Sequence, residues 1–204
     1  MKKILFILSL AFASMAASAQ LYVGGSVGFN SNGTKPEGNA AGNTSWSRVI
    51  VSPEIGYALD EKMDLGLEFT FGLTTDKRDL LVDKKTATDW EIAPYFRYSI
   101  LEFGKFSVLG KASVYVRGLN SKTIPLTGSN IESSSTTFGI GILPMLTYDI
   151  SDKFVLFTNL NFLRVSFSST SVKDFSKSSV FNLGANANDL LNVGNIAVGF
   201  AYKL

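Results

Sequence analysis

After Asp64 the large apolar residues Leu65, Leu67, Phe69, Phe71 and Leu73 alternate with Gly66, Glu68, Thr70 and Gly72. A period of two puts every second side chain on the same side of an extended chain, so this stretch has one greasy face and one small or polar face. The alternation recurs over residues 21–29, 49–59, 90–100, 106–116, 138–150 and 196–204. A further run starts at Phe154 and holds through Phe162, but its phase blurs near Arg164, where a bulge is expected. The chain is 46% hydrophobic. Even so, it holds no apolar run of the roughly 18 residues that a membrane-crossing helix needs.

The connections alternate in length as regularly as the side chains alternate in character. Short ones fall at 60–62, 102–105 and 151–153, and long polar ones at 31–45, 75–88, 120–135 and 168–192. Strands of about ten residues joined in this way fit an all-β, eight-stranded antiparallel up-and-down transmembrane barrel. The tight turns would lie at the periplasmic end, the long loops outside, and both termini in the periplasm.

Ahead of the first strand, Lys2 and Lys3 precede an apolar run and the small residues Ala17, Ser18 and Ala19. That order of charge, short apolar core and A-x-A site predicts a signal peptide over 1–19, cleaved to leave a barrel domain over 20–204. The whole chain carries 19 basic and 17 acidic residues, and removing the two leader lysines leaves 17 of each. A neutral chain without a basic tract gives no reason to expect a nucleic-acid partner. It has no Cys and no His. Thiolate and imidazole metal sites, Cys nucleophiles and Ser-His hydrolysis are therefore excluded, and neither cofactor nor metal is expected.

Four strands share a repeat. Pro53-Glu54-Ile55-Gly56-Tyr57-Ala58-Leu59 matches Pro94-Tyr95-Phe96-Arg97-Tyr98-Ser99-Ile100 and Pro144-Met145-Leu146-Thr147-Tyr148-Asp149-Ile150. Val198-Gly199-Phe200-Ala201-Tyr202-Lys203-Leu204 is a fourth copy, with Val in place of Pro. Tyr57, Tyr98, Tyr148 and Tyr202 are thereby expected at one depth, as a periplasmic-side aromatic girdle with buried rings and wet hydroxyls. Tyr22, Phe106 and Phe154 are expected to join it, with Trp46 and Trp90 near the outer girdle. Proline donates nothing to a ladder and a closed barrel has no free edge, so Pro53, Pro94 and Pro144 predict bulges or lost hydrogen bonds at a common depth.

Alternation does not say which face points inward, and a soluble lipocalin-like barrel with a greasy interior is the structural rival. The polar face is rich in Gly, Ser and Thr rather than Lys and Glu, as at Gly24, Ser26, Gly28, Thr137, Gly139 and Gly141. Small residues suit the cramped interior of an eight-stranded barrel, so the greasy face is assigned to lipid. The charges left on the inner face are Arg48, Glu54, Glu68, Glu91, Arg97, Lys111, Arg117, Asp149 and Lys203. Pairing across the 60–62 turn sets Glu54 opposite Glu68, a repulsive arrangement unless cations approach. Arg97, Lys111 and Arg117 are expected to reach Glu54, Glu68 and Glu91 and form a lumen charge network. Glu91 falls near Tyr115 or Arg117, depending on register.

With its A-x-A leader, eight alternating strands, short turns such as Ile150-Ser151-Asp152-Lys153 and closing strand, the chain resembles the small outer-membrane β-barrel family of the OmpX-like and OmpA-membrane-domain type. The likeness to this porin family covers 20–204, and the Pro-x-apolar-x-Tyr repeat looks like Bacteroidetes-type members. It implies a last strand read by the barrel-assembly machinery. Phe200 and Tyr202 fit that signal, while Leu204 stands where the family has a terminal Phe. The expected protein is a non-enzymatic monomer of the bacterial outer membrane, lodged among outer-membrane lipids including lipopolysaccharide. Its lumen would be filled with side chains, and its long extracellular loops would meet an extracellular partner. A narrow porin-like channel is the alternative reading, and an outer-membrane lipid-modifying enzyme is disfavoured by the absence of His.

Overall fold

The computed structural model describes residues 20–34, 44–78, 82–127, 129–160, 163–172, 176–185 and 198–204. The segment 1–19 assigned to a signal peptide lies outside them. Among the described residues the chain forms strands only: β1 (Gln20–Thr34), β2 (Thr44–Ala58), β3 (Met63–Arg78), β4 (Val82–Phe103), β5 (Phe106–Pro125), β6 (Ile131–Asp149), β7 (Phe154–Asn159), β8 (Leu163–Val172), β9 (Ser176–Ala185) and β10 (Val198–Lys203). Consecutive strands from β1 to β6 pair antiparallel. β7 and β8 both pair with β6 and are two stretches of one strand. β9 pairs with β8, while β10 pairs with β7 and with β1, which closes the ring. β9 and β10 flank the same β7–β8 strand and count as one, so the result is a barrel of eight antiparallel strands.

The register fixes the tilt. Stepping across the ladders from Tyr57 leads through Leu65 to Phe96, two residues short of Tyr98. From Tyr98 the path runs through Gly110 to Pro144, four short of Tyr148. Tyr148 leads through Leu156 to Phe200, two short of Tyr202, and Tyr202 leads through Val23 to Ile55, two short of Tyr57. Steps of two, four, two and two residues close on a stagger of ten. With strand spacing near 4.8 Å and a rise near 3.4 Å, that stagger tilts the strands by about 40° and holds the four tyrosines within about 4 Å of one depth.

The repeat has a backbone counterpart. The residue after each of three tyrosines donates its N–H to the carbonyl of the lysine in the preceding turn: Ser99 to Lys62 (2.7 Å), Asp149 to Lys105 (2.8 Å) and Lys203 to Lys153 (2.8 Å). Each turn is also tied locally. Asp60 Oδ1 accepts the N–H groups of Lys62 and Met63, both at 2.7 Å, and Ser151 Oγ accepts that of Phe154 at 3.1 Å. Gly104 takes a left-handed φ of 60°, which a residue with a Cβ rarely adopts.

Of the bulges or lost hydrogen bonds expected at the prolines, two sites show lost pairs and the third a register slip. Around Pro53 the β2–β3 ladder passes from Val51↔Phe71 to Glu54↔Glu68 with pairs missing but register kept. Around Pro94 the β4–β5 ladder passes from Ile92↔Val116 to Tyr95↔Ser113 in the same way. Both prolines point their missing N–H toward the next strand, so the ladder loses bonds there without slipping. Beside Pro144 the register does slip: between Met145↔Asn159 and Ile142↔Val165, three steps on β6 face six on the other side. That excess covers the region around Arg164 where the alternation blurs; Phe162 itself lies outside the described residues.

Three of the four long polar connections, 75–88, 120–135 and 168–192, are largely strand. β3 runs on to Arg78 and β4 starts at Val82, while β5 reaches Pro125 and β6 starts at Ile131. β8 and β9 likewise occupy most of 168–185. Polar Ser- and Thr-rich sequence reads as loop by composition. Such residues still have their backbone groups to pair, and the ladder below carries them, so the hairpins extend past the greasy band instead of dissolving into loops.

The burial pattern inverts that of a soluble barrel. Outward-facing side chains such as Val27, Phe29, Phe71, Ile100, Phe138 and Phe200 are exposed, while Ser26, Ser52, Glu54, Thr70, Asp89, Arg97, Ser99 and Lys111 are buried. On β5 the outward apolar run from Phe106 to Val116 spans about 25 Å along the barrel axis at this tilt, the height of a transmembrane barrel's apolar band.

Candidate functional site: the charged lumen

The lumen is built by cross-strand matching of large and small residues. Tyr22 stands opposite Gly56, Tyr95 opposite Gly66, Tyr115 opposite Gly139, and Phe157 opposite Gly199. In each case a Cβ on the glycine would run into the facing ring. The rings therefore lie flat across their neighbours and fill the cylinder.

Three acids and two bases meet in the half nearer the short turns. Glu54 and Glu68 are direct neighbours on β2 and β3, and Arg97 and Lys111 are direct neighbours on β4 and β5. Like charges so placed repel, and the arrangement persists because each pair answers the other. Arg97 Nη1 lies 3.3 Å from Glu54 Oε1 and its Nε 2.7 Å from Asp64 Oδ1, while Lys111 Nζ lies 2.7 Å from Glu68 Oε2. The Glu54 side chain is 0% exposed, that of Arg97 6% and that of Lys111 5%. The Arg97 guanidinium sits between two rings, 4.9 Å from the centre of Tyr22 and 4.8 Å from that of Tyr95, and Lys111 Nζ is 4.6 Å from Tyr95. Arg97 Nη2 also donates to the Tyr22 hydroxyl. Tyr22 gives its one proton to Asp64 at 2.9 Å, so Tyr95 is the donor in the 2.8 Å bond between the two tyrosines.

Apolar groups complete this cross-section. Met145, Phe157 and Ala201 cluster with Tyr22, and Leu109 and Val155 pack against them. Below lies a cavity of about 1010 Å³ at the turn end, lined among others by Asp60, Glu61, Asp64, Arg97 and Glu102. Asp149 and Lys203 face each other there at 3.9 Å.

The half nearer the long hairpins holds two separate pairs. Glu91 stands opposite Arg117, whose Nε and Nη2 lie 2.7 and 2.6 Å from Glu91 Oε2. Arg48 Nη2 donates to both Asp89 oxygens, at 3.1 and 3.0 Å. Between the halves Ser52 and Thr70 share a 2.9 Å hydrogen bond.

Of the charged residues singled out from sequence, the structure thus brings together Arg97 with Glu54, Lys111 with Glu68, and Arg117 with Glu91. Asp64, Asp89, Tyr95 and the Met145–Phe157 cluster were not singled out. Asp64 begins a strand and Asp89 follows a polar stretch that reads as loop, so the sequence alone does not point either into the lumen, although both keep the inward phase of their strands. Two aromatic assignments are corrected. Tyr22 is 5% exposed and lies inside the barrel, because it shares the phase of Gly24 and Ser26 and not that of Leu21 and Val23. Trp46 shares the inward phase of Arg48 and Ser52, since β2 keeps unbroken register with β1 to its end.

Tyr57, Tyr98, Tyr148 and Tyr202 lie on the outward face at the turn end. Phe106 packs on Tyr148 with ring centres 4.6 Å apart, and Phe154 on Tyr202 at 5.0 Å. Trp90 is exposed on the outward face, over Gly118. Phe200 and Leu204 are exposed, and the Leu204 N–H closes onto the Leu21 carbonyl at 2.8 Å.

A major outer membrane protein from Thermus thermophilus superposes on 92% of this chain and all of its own, with a TM-score of 0.51 at 13% identity. The fold is that of a small outer-membrane barrel. Neisserial surface protein A gives a TM-score of 0.45 at 14% identity over 92% of this chain and 99% of its own. The attachment invasion locus protein of Yersinia pestis gives 0.44 at 11% over 91% and 97%. No protein-family model and no curated protein matches the sequence.

Proposed function

We propose that this protein is a non-enzymatic barrel of the bacterial outer membrane whose lumen is closed by side chains and whose long hairpins present a recognition surface to an extracellular partner. The observation that carries the closed lumen is the Arg97–Glu54–Asp64 and Lys111–Glu68 network, which spans β2 to β5 and meets the Met145–Phe157 cluster on the opposite wall. The hairpin β5–β6 carries the recognition half of the reading, because a rigid barrel under an extended polar hairpin is a usual platform for binding. In this reading residues 1–19 are removed on export, the barrel inserts as a monomer, and Phe200, Tyr202 and Leu204 form the segment met by the assembly machinery. The four repeat tyrosines and their phenylalanine neighbours anchor the inner headgroup level.

The narrow-channel alternative draws on the open cavity at the turn end, which supplies half of a water path. Planar-bilayer recording separates the two: the wild-type barrel is expected to show no steady conductance. Reproducible openings would overturn the closed lumen. Shortening the β5–β6 hairpin within 120–135 is expected to leave heat-modifiable gel migration intact while changing surface binding; unchanged binding would remove the recognition role from that hairpin.

A further inference from the structure

The outward face above the greasy band is uneven. On β3, Lys77 keeps the outward phase of Phe71 and Leu73, since β2 and β3 stay in register to Arg78. On β4, Lys84 shares the phase of Trp90, and on β5 Lys122 shares that of Val114 and Val116. Thr86 pairs with Lys122, and Thr75 pairs with Thr86, so the three lysines sit on neighbouring strands at nearly one height. The ten-residue stagger brings them within about 4 Å of a common level. Among the side chains described, one acid joins the row: Glu132 on β6 lies 3.3 Å from Lys122 Nζ. At the same end β1 and β2 present outward only Ser31, Gly33, Ser45 and Ser47 among the described residues, and β6 presents Ser134 and Thr136 below Glu132.

Height decides what this row can meet. Lys77 lies four residues beyond Leu73, and Lys84 and Lys122 lie six beyond Trp90 and Val116. At the barrel's tilt these are rises of about 10 to 15 Å above the last greasy ring. The polar layer of a membrane is roughly 5–8 Å deep on each side, and a lysine stem bends back along the surface to lower its ammonium into it. Between lysines and hydrocarbon stand the hydroxyls of Thr75, Thr86 and Thr88 and the amide of Asn120, with the Trp90 indole at the lower edge.

We infer that the outward face of β3, β4 and β5 above Trp90 is a docking site for the phosphate-bearing headgroup of a lipopolysaccharide molecule in the outer leaflet, gripped by Lys77, Lys84 and Lys122. This deepens the outer-membrane placement proposed above and rests on it. The cations meet the headgroup phosphates, the hydroxyls between them meet its sugars, and the greasy faces of β3 and β4 take its acyl chains. The lipid is thereby held on one flank of the barrel.

The test uses the full chain purified in a neutral detergent, with heat-modifiable migration showing independently that the barrel is folded. Binding is measured for lipopolysaccharide, for the same lipid after chemical dephosphorylation, and for inorganic phosphate. Wild type is expected to bind the phosphorylated lipid and to bind the dephosphorylated form on the order of 10- to 100-fold more weakly. The variant Lys77→Gln/Lys84→Gln/Lys122→Gln is expected to lose a similar factor, at about fivefold per lysine, less for Lys122 because Glu132 already engages it. Lys105→Gln, at the opposite end, is expected to bind as wild type. Equal affinity of the triple variant, equal affinity for the dephosphorylated lipid, or displacement by inorganic phosphate at the lipid's own concentration would each overturn the inference. Loss of heat-modifiable migration in wild type would instead remove the outer-membrane reading beneath it.

Discussion

The two halves of the lumen use the same chemistry under different conditions. Near the short turns, Arg97, Glu54 and Lys111 are almost wholly enclosed, and each cation is bound to an acid two strands away. Near the long hairpins, Arg117 pairs with its direct neighbour Glu91 while its own side chain remains 40% exposed, and the Arg48 side chain is 29% exposed beside Asp89. A pair that spans strands in a closed interior works as a cross-brace, because neither partner can turn to water when the other leaves. A cation that reaches open solvent can exchange its partner for hydration at little cost, although the Asp89 side chain, 3% exposed, cannot do the same. Depth in the barrel, more than bond length, should therefore rank these interactions.

The largest effect is expected from Arg97→Met. It strands Glu54, leaves Asp64 with the Tyr22 hydroxyl alone, removes the donor to Tyr22 and takes the cation from between two rings. Breaking a buried pair by removing one partner costs about 3–5 kcal/mol. Equilibrium urea unfolding of the folded protein in detergent should show a loss of that order at unchanged m-value. Adding Glu54→Gln should restore part of it, because the stranded buried carboxylate is then gone. A loss below about 1 kcal/mol would mean that water reaches this level, and the contrast between the halves would collapse.

How far this network could be read in the residues depended on phase. Period-two alternation placed Glu54, Glu68, Glu91, Arg97, Lys111 and Arg117 on one face, and the turn at 60–62 alone was enough to set Glu54 against Glu68. The partner two strands away could not be read, because contact between β2 and β4 or between β3 and β5 depends on how side chains cross the cylinder. Tyr22 was misplaced for another reason: an aromatic near a turn suggests a membrane interface by composition, whereas its phase with Gly24 put it inside. The hairpins were missed because Ser and Thr mark loops in soluble proteins, where a strand needs a greasy face to be held. Here the barrel below holds them, and polar pairs such as Thr75↔Thr86 continue its ladder.

Lys111→Met should rank second. Lys111 serves a single carboxylate, Glu68, whose side chain is 13% exposed, so less charge is stranded than by loss of Arg97. Methionine fills the aliphatic path beside Tyr95, leaving chiefly the charge-assisted hydrogen bond to be lost, about 1.5–3 kcal/mol. The same unfolding measurement checks it. An effect equal to that of Arg97→Met would show that the two cations act as one unit, and a double variant would then cost much less than the two losses added.

Arg117→Gln should be the mildest, at about 0–1 kcal/mol. Its guanidinium is half-open toward the hairpin end of the barrel, and glutamine can still offer an N–H to Glu91, whose side chain is 12% exposed. The pair belongs to the class whose attraction is screened, so raising the salt concentration should shrink the already small difference from wild type, while the deficit of Arg97→Met should scarcely change. Salt thus offers a test that does not depend on absolute magnitudes. If the Arg117 deficit resists salt as firmly as that of Arg97, the hairpin half is as closed as the turn half, and the barrel is braced along its whole length.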